Sequence, residues 1–242
     1  LKKNYPEIKM IYGVELYECF DMSVKDSNSK YFHLVALAKN ERGRVALNEI
    51  VTQSNFEGFY FKPRIDLAHL RPYADDLIIL SACLASKLAR ESDYGQCVKY
   101  INEYKSTFPN FFLEMQSHNT DEQRRYNQKV LELAEATNTE FVITTDSHAA
   151  TKDDLYYQAR HVQIAHDDET LTELYDGCYI QSEAEIYEVM SSQIGEENVK
   201  LGLASTNKVA DMIENVDMPF QAPQLPTYPL PDGFEDNLSY LK

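Results

Sequence analysis

The sequence predicts an α/β fold, a parallel sheet or barrel covered by helices, and three observations lead there. Five short apolar runs are near-continuous rather than alternating, as in strands covered on both faces. Helical periodicities stand between them. Strand and helix therefore alternate along the chain, the order of βαβ units. The runs are IKMIYGVEL at 8–16, YFHLVALA at 31–38, LIILSACL at 77–84, FFLEMQ at 111–116 and FVITTD at 141–146. The helical stretches are Glu41 to Asn55, Tyr94 to Phe108 and Asp121 to Thr137, the last with Tyr126, Val130, Leu133 and Ala134 on one face. Beyond Asp146 the pattern is helical: Asp153 to His166, Glu183 to Ser191 and Glu196 to Ile213. Ser182 and Glu185 have the spacing of a capping box for the second of these. Five of the nine prolines (Pro219, Pro223, Pro226, Pro229, Pro231) then fall within thirteen residues, which marks an extended connector and a domain boundary near Asp217. The last residues, FEDNLSYLK, read as the beginning of a helix, and both ends of the chain read as cuts.

Composition narrows the class. A chain of 242 residues with 43% hydrophobic content buries enough core for one large α/β domain with appendages. Its apolar runs fall short of the roughly 18 to 20 residues that span a bilayer, and LKKNYPEIKM lacks the apolar stretch of a secretory signal. The expectation is a cytoplasmic protein with no membrane partner. Cys19, Cys83, Cys97 and Cys178 form no CxxC pair, which argues for free thiols rather than a zinc ribbon or a disulfide framework. A formal charge of −16 repels a phosphate backbone, so nucleic acid would have to be held mainly by another part of the protein.

In a parallel sheet or barrel, functional groups gather at the carboxyl ends of strands. Glu15 in YGVELY, Cys83 in LSACLA, Glu114 in FLEMQSH, and Asp146 with His148 in TTDSHA occupy such positions, whereas His33 sits near the start of its strand. Carboxylate, imidazole and thiolate are the side chains that bind zinc, manganese or iron, and an Asp-x-His step projects two alternate ligands toward one opening. Each residue also has a plainer reading. Glu15 is equally a surface carboxylate, His33 a hydrogen-bonded core histidine, Cys83 a small buried hydrophobe and Asp146 a helix cap. Glu114 and His118 line a site or are a half-buried carboxylate and a loop histidine; His69, His161 and His166 read as surface or core residues. Nothing resembles a Ser-His-Asp hydrolase or a glycine-rich phosphate loop. The residues by themselves reach a metal site on an α/β domain.

The strings YGVELY, FHLVALAKNERG, EGFYFKPRID, LIILSACLAS, FFLEMQSH and TTDSHA follow one another in an order and spacing that resembles the PHP (polymerase and histidinol phosphatase) domain of bacterial DNA polymerase III alpha subunits. The resemblance runs from about Ile8 to Ser182 and weakens toward Lys242. It is closer to the subunits without an inserted exonuclease, because the stretch from Glu15 to His33 is too short to hold one. It implies a distorted seven-stranded β/α barrel over residues 1–216, lacking its first strands, followed by a connector at 217–242 that leads to the polymerase palm and thumb. It also implies a rim holding up to three divalent metals, zinc or manganese. Carried over residue by residue, the ligands are Glu15, His33, Cys83, Asp146 and His148; a His-x-His motif, an acidic residue and a further His would precede Leu1. Two departures stand out: TDSHA replaces the usual Asn-Asp-x-His-Tyr, and YYQARHVQIAHDDETL replaces an apolar helix and its following Gly.

The function this resemblance implies is a metal-dependent phosphoesterase, most usefully a 3′–5′ exonuclease, inside a replicative DNA-directed DNA polymerase, a nucleotidyltransferase. Glu15 would bridge metals, and Asp146 and His148 would complete the catalytic set. Nucleotide addition itself is expected of the whole protein and not of residues 1–242. The alternatives are a non-catalytic scaffold that supports the polymerase and docks a proofreading exonuclease subunit, and a free-standing phosphatase of the histidinol-phosphate type. The expected partners are the remainder of the polymerase chain, that proofreading subunit and other replisome proteins.

Overall fold

Residues 4–5, 7–26, 30–167, 177–216 and 229–241 are described by the structure, a computed structural model. Strands β1 (Gly13–Cys19) and β2 (Phe32–Ala38) form an antiparallel pair with Gly13 opposite Leu37 and Glu18 opposite Phe32. Helix α1 (Glu41–Phe56) opens at Asn40, whose side chain accepts from the Gly43 N–H. A tight hairpin follows, β3 (Phe59–Tyr60) and β4 (Lys62–Asp66), turning at Phe61 with φ 59°. The short α2 (Leu67–Leu70) and a 3₁₀ turn at Arg71–Asp76 lead into β5 (Leu77–Leu80). Then come α3 (Lys87–Arg90), α4 (Tyr94–Thr107), β6 (Phe111–Gln116), α5 (Asp121–Thr137) and β7 (Phe141–Thr144). Helices α6 (Leu155–His166), α7 (Glu183–Ile194), α8 (Glu196–Met212) and α9 (Asn237–Leu241) complete the described elements. Residues 217–228 of the connector expected over 217–242, and with them the boundary near Asp217, lie outside the described residues.

The strands make one sheet in the order β3-β4-β1-β2-β5-β6-β7. The α/β class expected from the sequence holds, and the architecture is consistent with a distorted barrel. The all-parallel arrangement does not hold. β1 and β4 are parallel, as are β5, β6 and β7, but β2 runs antiparallel to both of its neighbours, β1 and β5. The link between β1 and β2 carries no helix among its described residues, and β2 returns directly beside β1. The β3–β4 hairpin was not foreseen, because FYFKPRID carries a proline and alternating charges where a strand pattern is sought.

The apolar runs are explained by what covers them. One face of the sheet, with Leu16, Leu34, Ile65, Ile79, Leu113 and Ile143, packs on Ile50 of α1, Ile101 of α4, Val130 of α5 and Met190 of α7 in a single core. The opposite face of β5, β6 and β7 is also covered: Ile78, Leu80, Phe112 and Val142 meet Val209 of α8 and Ile213. Burial on both faces makes LIIL and FVIT continuous. In β2, by contrast, buried and half-buried residues alternate: His33, Val35 and Leu37 on its second face are only half-buried, with Val35 and Leu37 at the margin of the second cluster. Helix α8 also closes the free edge of β7. Thr206 Oγ1 accepts from Ile143 N–H at 3.1 Å, and Gly202 permits the close approach, since a Cβ there would stand 2.7 Å from the Ile143 side chain. The capping box expected at Ser182 and Glu185 is present at the start of α7.

The same core holds one ion pair. Glu18, fully buried, receives Lys87 Nζ at 2.5 Å on one carboxylate oxygen and the Tyr104 hydroxyl at 2.5 Å on the other. Lys87 Nζ lies 5.0 to 5.3 Å from the ring centres of Phe20, Tyr100 and Tyr104. Both oxygens of Glu18 thus accept a hydrogen bond and the ammonium lies among aromatic faces, which favours tolerance of such a pair.

Candidate metal centre

The reversed direction of β2 brings His33 to the site. Because β2 is antiparallel, its first residues lie beside the carboxyl end of β1, with His33 opposite Tyr17 and Glu15 opposite Val35. Glu15 and His33 are thereby diagonal neighbours on one face, a separation that side chains of this length bridge. His33 Nδ1 stands 2.7 Å from Glu15 Oε1. The third member arrives from the loop after β5. Ala82 takes a left-handed backbone, φ 61°, and turns the chain back so that the Ala85 carbonyl accepts from the His33 N–H at 3.1 Å. Cys83 Sγ is left 3.4 Å from His33 Nδ1 and 3.9 Å from Glu15 Oε1, with the Ala85 N–H donating to it. Tyr17 packs against the His33 ring at 5.4 Å between centroids and limits its rotation.

This contact set shifts both charges. Hydrogen bonding to Cys83, then to Glu15, raises His33 from 6.5 to about 9 against the opposing effect of burial. The His33 hydrogen bond holds Glu15 below the ordinary carboxylate range, and the more distant charge of His148 acts in the same sense. A proton on His33 lies between the Glu15 carboxylate and the Cys83 sulfur.

The Asp-x-His step forms a second group. Asp146 itself adopts a left-handed backbone, φ 46°. His148 Nδ1 lies 2.7 Å from the Asp146 carbonyl oxygen, and an Nδ1–H donating there puts the lone pair of the ring on Nε2. The third side chain is one that the sequence reading left among the ordinary thiols, Cys178. Donor atoms of Asp146, His148 and Cys178 lie within 4.8 Å of one another, as do those of Glu15, His33 and Cys83. Within that distance the five residues expected as ligands fall into two groups, and the charge of His148 still acts on Glu15. They divide between two triads, each with a carboxylate, an imidazole and a thiol. All four cysteines are free of disulfides, as expected.

Glu114, on β6, relates the two groups. It is buried, accepts from Thr144 Oγ1 at 2.6 Å through Oε1, and has no hydrogen-bond partner for Oε2. Burial raises its carboxyl to about 7, and the charges of Asp146 and Glu15 push in the same direction. A carboxylate that feels one acidic residue from each triad lies electrostatically between them. His118, also buried, places Nε2 2.9 Å from the Thr145 carbonyl oxygen and 3.4 Å from Cys178 Sγ, which ties the end of β6 to the ligand loop. Of the histidines set aside, His69 pairs with Asp66 at 2.7 Å and His161 is exposed on α6.

Whether these residues fit a metal can be judged from the donors. Carboxylate, imidazole and thiolate together suit zinc and similar borderline ions, and the orphaned Oε2 of Glu114 is the kind of buried oxygen that a nearby positive charge stabilises. They fit. Among the described residues no helix is long and apolar enough to cross a membrane.

Comparison with known proteins agrees with the resemblance in the sequence. Residues 1–118 match the family described as PHP domain. The DNA polymerase III subunit alpha of Treponema pallidum is 31% identical over 249 residues, covering 97% of this chain and 21% of that protein. The corresponding subunit of Thermus aquaticus is 30% identical over 93% of this chain and 20% of its own length, and that of Aquifex aeolicus 33% identical over 62% and 14%. The chain thus spans about a fifth of the first two of these relatives. Residues 1–118 carry a PHP domain, and nearly the whole chain is homologous to one segment of bacterial DNA polymerase III alpha subunits.

Proposed function

We propose that this chain is the PHP region of a replicative DNA polymerase and that its rim binds divalent metal ions to hydrolyse phosphoesters, with a 3′–5′ exonuclease as the form that serves a polymerase. The observation that carries the reading is the convergence of Glu15, His33 and Cys83, residues far apart in the chain, at contact distances, with Asp146 and His148 grouped nearby. Glu15, His33 and Cys83 would hold one ion and Asp146 and His148 would contribute to another. Thiolate and imidazole favour zinc, with manganese the alternative. When bound, such ions lower the pKa of a coordinated water and stabilise charge at phosphorus. The chain's own residues orient and neutralise. Tyr17 and the Ala85 N–H fix His33 and Cys83, the Asp146 carbonyl fixes the His148 tautomer, and Glu114 holds or releases a proton near neutrality. Glu15, diagonal to His33 and within range of the His148 charge, would supply the carboxylate ligand of the first ion.

Elemental analysis of the purified chain, together with cleavage of a 5′-labelled single-stranded oligonucleotide in zinc or manganese, tests this. Bound metal and a ladder of shortened products, both lost in His33→Ala and Asp146→Asn, are expected; a chain that takes up no metal and leaves the oligonucleotide intact defeats the reading. The scaffold alternative then stands, and one observation already favours it: a net charge of −16 is poor for holding DNA and good for docking a basic partner. In either case the region works within a longer polymerase chain in the cytoplasm, alongside a proofreading subunit, with DNA held by other domains and nucleotide addition carried out elsewhere. A free-standing histidinol phosphatase draws no support from the relatives named above, which are polymerase subunits.

A further inference from the structure

We propose that Asp146, His148 and Cys178 form a metal site in their own right, with Cys178 as its thiolate ligand, so that the rim holds two centres of matching O, N and S donors. The inference rests on the metal-binding part of the reading above and not on its phosphoesterase step.

Four features of the fold assign Cys178 this role. The first is proximity. Donor atoms around a tetrahedral zinc lie roughly 3.3 to 3.8 Å apart, given bonds of about 2.0 to 2.3 Å, and the three here are already within 4.8 Å of one another. The second is that Cys178 is built into the site. Its carbonyl accepts from the His148 N–H at 2.8 Å and the Ala149 N–H at 3.2 Å, and Tyr179 bridges to Ala149 as in a parallel ladder. The thiol is therefore in fixed register with the ligand loop although thirty positions separate it from His148.

The third feature is the way the preceding residues are locked. Gly177 has φ 90° and lies so close to β6 that a Cβ would come within 3.3 Å of both the His118 Cα and the Ser117 carbonyl oxygen. Gln181 clamps the same place, accepting from Ser117 Oγ at 2.6 Å and donating to the Ser117 carbonyl at 3.2 Å. The fourth is the surroundings of the sulfur. A cysteine that merely fills space sits among apolar side chains. Cys178 is buried at 3% exposure yet faces Asp146, His148 and His118 Nε2, the last at 3.4 Å. A sulfur so surrounded by nitrogen and oxygen donors has the neighbours of a ligand rather than of a space-filling side chain.

The consequence is selectivity. With a thiolate in each triad, both centres prefer zinc or cobalt to magnesium. Cobalt(II) supplies the test because each cobalt–thiolate bond adds sulfur-to-metal charge-transfer absorption in the near ultraviolet. The full chain, stripped with a chelator, is titrated with cobalt while bound metal is counted by elemental analysis. Cys178→Ser should lose one equivalent of metal and about half of the charge-transfer band, and Cys83→Ser the other half. Cys178→His should recover the equivalent but not its share of the band, which a purely structural role for the cysteine would not produce. Circular dichroism of the metal-free variants checks that each is folded. If Cys178→Ser binds as much cobalt as the unmodified chain with an undiminished band, Cys178 is no ligand, while metal binding at the rim stands. If the unmodified chain shows no charge-transfer band at all, this inference and the metal-binding reading fall together.

Discussion

Replacing Glu114 by Gln tests the electrostatics of the rim without touching a proposed ligand. Glu114 is 4% exposed and its carboxyl is raised from 4.5 to about 7, first by burial and then by the charges of Asp146 and Glu15. At ~1.4 kcal/mol per tenfold, that difference amounts to about 3 kcal/mol of preference for the protonated form in the folded chain. The sign follows from proton uptake. Between pH 4.5 and 7 the folded chain binds more protons at this carboxyl than the unfolded chain does, so its stabilising contribution, complete below 4.5, is lost as pH rises through 7. Gln keeps an oxygen for the Thr144 hydroxyl and puts an uncharged NH₂ where Oε2 stands without a partner. Urea unfolding in a chelator, followed by circular dichroism from pH 4.5 to 8, should show the unmodified chain losing about 3 kcal/mol relative to Glu114→Gln over that range. Zinc should reduce the loss, because a bound cation offsets the charge of Glu114. A difference between the two proteins that stays constant with pH, within about 0.5 kcal/mol, refutes the raised carboxyl and with it the claim that this residue lies between two acidic groups.

Three further outcomes follow from the same contacts. In the metal-free chain, His33 should titrate by NMR near 9, so that its stabilising charge is present below 6.5 and disappears as pH rises through 9; Glu15→Gln should bring the titration down, and a midpoint near 6.5 in the unmodified chain contradicts the contact. Lys87→Met strands the buried Glu18 and should cost about 3 to 5 kcal/mol in chemical denaturation, most of it regained in Lys87→Met with Glu18→Leu; a single variant as stable as the parent removes the ion pair from the account of the core. Thr206→Val leaves the Ile143 N–H at the sheet edge without its acceptor and should lower stability by about 1 to 2 kcal/mol, read as a shift in the urea midpoint with unchanged slope.

The elements that the sequence announced are those whose signal is local. Asp121 to Thr137 was delimited by its amphipathic face and is the helix found, and Ser182 with Glu185 made the expected capping box. LIIL and FVIT were legible because helices cover both of their faces. What was not legible was direction. YFHLVALA has the composition of a covered strand whichever way it runs, and its direction shows only in its pairing with β1 and β5. The β3–β4 hairpin was hidden because Pro63 interrupts its run and its first strand is only two residues long.

The site shows the same division and gives it a chemical meaning. Asp146 and His148 are two residues apart, so their partnership can be read from spacing, whereas His33 looked misplaced at the start of a strand when ligands were sought at strand ends. Its position makes sense once β2 is reversed, because the start of an antiparallel strand and the end of its neighbour share one rim. Cys178 had no comparable cue. Its place depends on a bridge to Ala149, on a left-handed glycine and on Ser117 and Gln181 clamping the turn, none of which leaves a periodic trace. Spacing in sequence therefore reveals ligands that one segment supplies, and pairing between segments decides the rest. It follows that the rim should be more sensitive to shifts of backbone register than to most changes in neighbouring side chains: a residue inserted after Ala82 should abolish uptake of metal at Glu15, His33 and Cys83 while leaving that at Asp146 and His148, since the two triads hang on different strands. Equal loss at both would mean that the triads act as one unit, not two.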